Sequence, residues 1–315
     1  MHQVLRTVIA GLALAALLVG CDQKPSGTAV APGGAPSGAH RAVVGVSLLT
    51  LANPFFVEMA DAMKAQGEAS GIEVVVVSGE LDAAKQAGQV DDFLTRKVDA
   101  IILCPVDSKA IGSAVKKAEA AGTPVFTADI AVLDPSAKVV SHVATDNFLG
   151  GKLAGEAMIK LLGGSGKVAV IDHPEVESVI LRTRGFEAAI AGTGIEIVAR
   201  LPGKGARDES FKAAEAILQS HPEITGLFAI NDPSALGAVA ALEKAGAAGR
   251  ISVIGFDGQP EAVEAVKAGR IKADVLQHPR QIGKRIIELV ALYREGKDVP
   301  AQELIPPTVI TPDSK

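Results

Sequence analysis

From residue 42 onward, short apolar runs rich in Val and Ile alternate with longer stretches of helical periodicity, and few architectures accommodate that rhythm. The runs fall at residues 42–49, 73–78, 100–103, 125–128, 139–143, 167–171, 226–230, 252–256 and 273–277. Near-continuous apolar runs of this kind mark strands covered on both faces, and strand–helix alternation gives parallel sheets joined by right-handed crossovers. Between them, residues 108–121 begin at Ser108 and stop before Gly122, residues 147–162 stop before Gly163-Gly164, and residues 233–245 stop before Gly246, each reading as a helix with its stop signal. The series runs twice, once to about Val143 and again from Lys167. The spacing therefore predicts an α/β fold of two similar Rossmann-like lobes, each a parallel sheet flanked by helices, with a ligand cleft between them.

Within residues 43–64 (VVGVSLLTLANPFFVEMADAMK) a strand runs into a polar-aromatic turn and then a helix. Pro54 suits the first helical turn, and Phe56, Met59, Ala60 and Met63 follow at helical spacing. Asn53 and Phe55 are left near the strand's carboxyl end, where open α/β sheets bind ligands. Polar residues recur after the other runs: Asp107, Asp129, Asp146, Asp172 with His173, Asn231 with Asp232, Asp257, and Gln277. Any one of these reads first as a cap, because Asp and Asn end strands and start helices in most proteins. The set, with Phe55 and Phe56 beside Asn53, reads as a site. Carboxylates and amides offer directed hydrogen bonds and flat aromatic faces pack on apolar ring faces, a combination suited to a neutral polyhydroxyl ligand.

Other chemistries find little support. A phosphate would call for Arg, Lys or a glycine-rich helix start. Residues 163–167 (GGSGK) lack the leading glycine and the final Ser or Thr of a phosphate loop, and both they and residues 203–205 (GKG) read as turns. G-x-S-x-G, H-E-x-x-H, C-x-x-C and the dinucleotide fingerprint do not occur, so a sugar-active enzyme is the minor alternative and no cofactor or metal is implied. His142, His173, His221 and His278 are scattered, and the last two each precede a proline in turns that read as leading into helices. Cys104 stands alone in an apolar run and reads as a small hydrophobe.

The first twenty residues carry Arg6, then an uncharged apolar run, then Leu18-Val19-Gly20-Cys21. This is the pattern of an export signal cleaved before a lipidated cysteine, with Cys21 as the anchor to a membrane. Residues 22–40, rich in Pro, Gly, Ser and Ala, read as a flexible tether. Removing residues 1–20 takes only Arg6 from the 31 basic residues against 36 acidic, leaving a net charge of −6, which argues against a nucleic-acid partner.

LANPFF (51–56), SHVATDNFLGGKLAGE (141–156), LFAINDPSALGA (227–238), VIGFDGQPE (253–261) and LQHPRQIG (276–283) occur in order. On these motifs the chain resembles the ribose-binding branch of periplasmic sugar-binding proteins of ABC importers, from about Arg41 to Pro312. It is also similar to LacI-type effector domains, but no helix-turn-helix precedes Arg41 and an export signal does. The resemblance implies a monomeric extracytoplasmic receptor that passes a small sugar or polyol to an ABC permease. A subunit that signals to a membrane kinase or chemoreceptor is the other reading. It implies two lobes, 41–144 plus 279–305 and 145–278 plus 306–315, joined near 145–147, 277–279 and 305–307. It places ligand contacts at Asn53, Phe55, Phe56 and Asp129 in the first lobe, at Asn231, Asp257 and Gln277 in the second, and at Arg182 as a weaker candidate. Phe55 with Phe56 would sandwich or line a ring face. Four positions depart from the ribose pattern: Leu49 for a serine, Ile130 and Ile180 for arginines, and Gly205 for an aromatic. Ribopyranose is therefore not the expected ligand. Arg182, His173, Glu177 and Arg207 are the expected replacements, suiting a different pentose or hexose, a furanose form or a sugar alcohol.

Overall fold

The computed structural model describes residues 41–314. The export signal (1–20), the tether (21–40) and the lipidation site Cys21 lie outside the described residues.

Two six-stranded sheets organise the chain, one in each α/β lobe. The first holds β1 (Ala42–Leu48), β2 (Ile72–Ser78), β3 (Ala100–Leu103), β4 (Val125–Ala128), β5 (His142–Thr145) and, from late in the chain, β11 (Gln302–Ile305), in the order β11-β5-β4-β3-β1-β2. The second holds β6 (Ser165–Asp172), β7 (Gly194–Pro202), β8 (Gly226–Ala229), β9 (Ser252–Asp257), β10 (Ala273–Leu276) and β12 (Thr308–Ile310), in the order β12-β10-β9-β8-β6-β7. The strands that read as apolar runs are the inner ones together with the edge strand β2, and every residue of β3, β4 and β8 is buried. Every pairing is parallel except β10 with β12, which is antiparallel. That departs from the all-parallel expectation. After β11 the chain crosses through Pro306-Pro307 and enters the second sheet at the carboxyl end of β10, where Thr308 faces Leu276, so β12 runs back against β10.

The helices α1 (Pro54–Ala69), α2 (Ala83–Thr95) and α3 (Gly112–Ala120) follow strands of the first sheet, and α4 (Asn147–Leu162), α5 (Glu177–Ile190), α6 (Arg207–Ser220), α7 (Asp232–Lys244) and α8 (Pro260–Lys267) belong to the second. Late in the chain α9 (Pro279–Arg294) packs on α1, β4 and β5. The chain thus passes between sheets after β5, after β10 and after β11.

Three local readings need correction. The helix expected from Ser108 starts at Gly112, because Asp107 Oδ1 accepts from the Lys109 and Ala110 amides and closes a separate turn. The strand expected at 139–143 lies at His142–Thr145, where pairing with β11 begins. His278 does precede a helix, but His221 is the C-cap of α6 and leads into β8. Strand β7 escapes a search for apolar runs because it is an edge strand in which only Ile195 is buried.

Candidate functional site

The residues that follow strands β1, β4, β6, β8, β9 and β10 converge on one cavity of about 510 Å³, inside the roughly 300–1,000 Å³ range of small-molecule sites. Leu49, Asn53, Asp129 and Ile130 line it from the first lobe; His173, Arg182, Asn231, Asp257 and Gln277 line it from the second.

Capping and lining are not alternatives at the two asparagines. Asn53 Oδ1 accepts from the Phe55 amide at 2.9 Å, starting α1, while its Nδ2 donates to Asp257 Oδ2 across the cleft at 3.3 Å. Asn231 Oδ1 caps α7 through the Ser234 amide at 3.0 Å, and its Nδ2 donates to the Gly205 carbonyl at 3.0 Å. An amide carries both an acceptor and donors, so one side chain can hold the helix start and face the cavity.

Asp257, 3% exposed, is the hub. Besides Asn53, Gln277 Nε2 donates to its Oδ1 at 2.7 Å, and Arg182 Nη1 lies 3.6 Å from the same oxygen. Burial pushes its pKa up and the Arg182 guanidinium opposes that. Arg182 reaches the centre from α5, where Nε donates to Asn147 Oδ1 at 2.8 Å, Nη1 to the Ile230 carbonyl at 2.7 Å, and its Cζ sits 3.8 Å above the Phe256 ring. These contacts hold the cation in place and leave its field between Asp257 and Asp129. Asp129 sits at the end of β4, with its Oδ2 3.9 Å from the buried Cys104 thiol. Burial, helped by the charges of Asp257 and Glu177 and opposed by Arg182, raises its pKa to about 7. Asp129 Oδ1 and Gln277 Oε1 accept no protein hydrogen bond among the described residues.

Other strand-end residues are structural. Asp146 caps α4 through the Leu149 amide, Asp107 closes its own turn, and Asp232 Oδ2 accepts from the Gln259 amide at 2.6 Å. Asp172 lies 3.8 Å from Arg200 at the β6–β7 edge. None of these four lines the cavity. Phe55 and Phe56 both line it, but their rings meet edge to face at 5.2 Å and 88°, so no sugar ring fits between them and the pair forms a wall. Of the four departures, Ile180 drops out. It does not line the cavity; the arginine of α5 that does is Arg182, two residues on and on the opposite face. Leu49, Ile130 and Gly205 do line it, as do His173 and Arg207 among the expected replacements, while Glu177 does not. The sequence reading missed Val176 and Val179, which share a helical face with Arg182; their i, i+3 spacing was the available signal.

A periplasmic binding protein domain model matches residues 44–298. The ribose import binding protein of Salmonella typhimurium is 35% identical over 260 residues, covering 82% of this chain and 87% of that protein. The D-apiose import binding protein of Paraburkholderia graminis is 34% identical over 265 residues, covering 82% and 84%. Among solved structures, an ABC transporter solute binding protein from Bacillus halodurans with bound myo-inositol superposes with a TM-score of 0.81 at 32% identity, over 88% of this chain and 96% of that one. On the extent of the family match and of these alignments, the chain belongs to the periplasmic binding protein family.

Proposed function

We propose that the protein is an extracytoplasmic receptor for a small neutral sugar or polyol, which it delivers to an ABC permease. The observation that carries this reading is the Asn53–Asp257–Gln277–Arg182 constellation, which joins the two lobes through a buried carboxylate. A carboxylate held this way accepts from hydroxyls, and a fixed cation beside it orients them without demanding an anionic ligand. The relatives named above are import binding proteins rather than enzymes, and their ligands are polyhydroxyl compounds. Asp129 Oδ1 and Gln277 Oε1 are further acceptors for ligand hydroxyls, and Asn53 and Asn231 fix orientation.

The crossings at 145–147, 277–279 and 305–307 are the hinges, with 41–144 plus 279–305 on one side and 145–278 plus 306–315 on the other. Asn147, the last residue of the first of them, holds Arg182 Nε, which couples hinge and site. Closure is favoured by contacts that only the closed form makes. Cys21 anchors the chain to the membrane by its lipid, and the receptor acts as a monomer. Cys21→Ala should move the protein from the detergent phase to the aqueous phase on partitioning; unchanged partitioning removes the anchor.

A thermal-shift screen of pentoses, hexoses and polyols on the full-length protein tests the main reading, because a ligand specific to the folded chain raises its melting temperature. At least one should give a saturable shift larger than that of D-ribose, given Leu49, Ile130 and Gly205 in the wall. No shift from any of them would sink the receptor proposal, and a largest shift from ribose would sink the exclusion of ribose.

A further inference from the structure

One corner of the cavity is apolar. At the ends of β1 and β4, Leu49 and Ile130 line it while only 7% and 2% exposed. Strand β3 runs between β1 and β4, and the thiol of Cys104 at its end lies beside the backbones of both residues. From the other lobe, α5 brings Val176 and Val179 into the wall. The start of α5 is pinned to this corner: the Glu177 amide donates to Ser108 Oγ at 3.0 Å, and the Ser108 carbonyl accepts at 2.7 Å from Leu133, three residues past Ile130. All four apolar side chains belong to the large buried apolar cluster that extends through both lobes. Among the polar groups that line the cavity, those nearest in sequence to these side chains are Thr50, whose Oγ1 accepts from the Ala52 amide at 3.1 Å and keeps its O–H donor, together with Asp129 and Ser178.

We infer that the ligand is a deoxy sugar, placing a methyl or methylene group where Leu49, Ile130, Val176 and Val179 meet and a neighbouring hydroxyl on Asp129. The inference rests on the sugar-receptor reading above. A hydroxyl pressed against these four side chains exchanges water for carbon neighbours, whereas a CH₂ or CH₃ group there gains apolar contact with both lobes. Because the two valines and the Leu49–Ile130 pair come from different lobes, the same contact favours closure.

Calorimetric titration of the full-length protein with matched pairs tests this: L-rhamnose against L-mannose, L-fucose against L-galactose, D-quinovose against D-glucose, D-fucose against D-galactose, and 2-deoxy-D-ribose against D-ribose, with myo-inositol and sorbitol as polyols. The tightest binder should be a deoxy sugar, roughly tenfold or more tighter than its hydroxylated partner, the discrimination one such group gives in an apolar pocket. Leu49→Ser should shrink that ratio, and a ratio unchanged in a variant whose melting temperature shows it folded overturns the assignment of the corner. If the variant does not fold, the ranking by the unaltered protein decides. Tightest binding by a hydroxylated sugar or a polyol overturns the inference and leaves the receptor reading standing. No binding by any of these probes overturns both.

Discussion

Asp129 and Asp257 take positive φ values of 67° and 129°, a region in which a Cβ crowds its own backbone. Conformations of this kind cost on the order of 1–3 kcal/mol each and persist where surrounding structure enforces them, which at both positions aims a carboxylate into the cavity. Asp257→Ala should weaken ligand binding by about tenfold or more, since a hydrogen bond to a charged group contributes roughly 1.5–3 kcal/mol. Unchanged affinity in calorimetry would take Asp257 out of the site. Asp129 adds a pH dependence. Its pKa is about 7 in the folded chain and about 4 in an unfolded one, so both states are protonated below pH 4. As the pH rises from about 4 to about 7 the unfolded chain ionises first, and the stability contributed by the buried neutral acid is lost. Asp129→Asn cannot ionise, so its melting temperature relative to the unaltered protein should climb across that window and level off above it. A difference that is flat with pH would remove the buried neutral form of Asp129.

At the scale of elements, the contact between α4 and α5 positions Arg182. It is made backbone to backbone: a Cβ on Gly151 would collide with the Arg182 carbonyl, and one on Gly185 with the Phe148 carbonyl. Gly155 continues the seam, where a Cβ would come 2.6 Å from that of Ala189. Gly151→Ala should therefore destabilise the protein by roughly 1–3 kcal/mol, the usual cost of overpacking, and also weaken ligand binding by moving Arg182. Denaturant melts and calorimetry read the two effects, and a stability loss with intact affinity would show that the seam does not position the arginine. Helix α1 shows the complementary case, in which local sequence suffices. Asn53 caps it, Pro54 occupies its first turn, and Met59, Ala60 and Met63 form its buried face.

For the whole molecule, lobes in contact are the central fact. Beyond Asn53–Asp257, the Ser108 amide donates to the Glu175 carbonyl at 3.0 Å, and Ser108 Oγ accepts from the Glu177 amide. Ser108→Ala removes a bond that exists only while the lobes touch, and should weaken affinity by about three- to tenfold. Small-angle scattering of the full-length protein should show the radius of gyration falling when a saturating ligand is added. No change on saturation would contradict hinge closure.

The residues of the chain, read alone, determined its class of fold and named several residues that line the candidate cavity. Unbroken apolar runs can be buried only between two layers of helices, so the central strands were legible, and polar residues ending those runs had to gather at one edge of each sheet. Of the four edge strands only β2 was legible, since β7, β11 and β12 bury little and carry no long apolar run. Nor could spacing separate Asp129 and Asp257, which line the cavity, from Asp146 and Asp232, which serve backbone amides. Both roles use the same residue type at the same kind of strand end, and the direction of the side chain decides between them. On α5 the departure at Ile180 could not show from spacing which side chain faces the cavity, and helix pitch turns Arg182 into it. Tertiary structure alone brought Val176 and Val179 into the same cavity wall as Leu49 and Ile130, because that wall is built from two lobes.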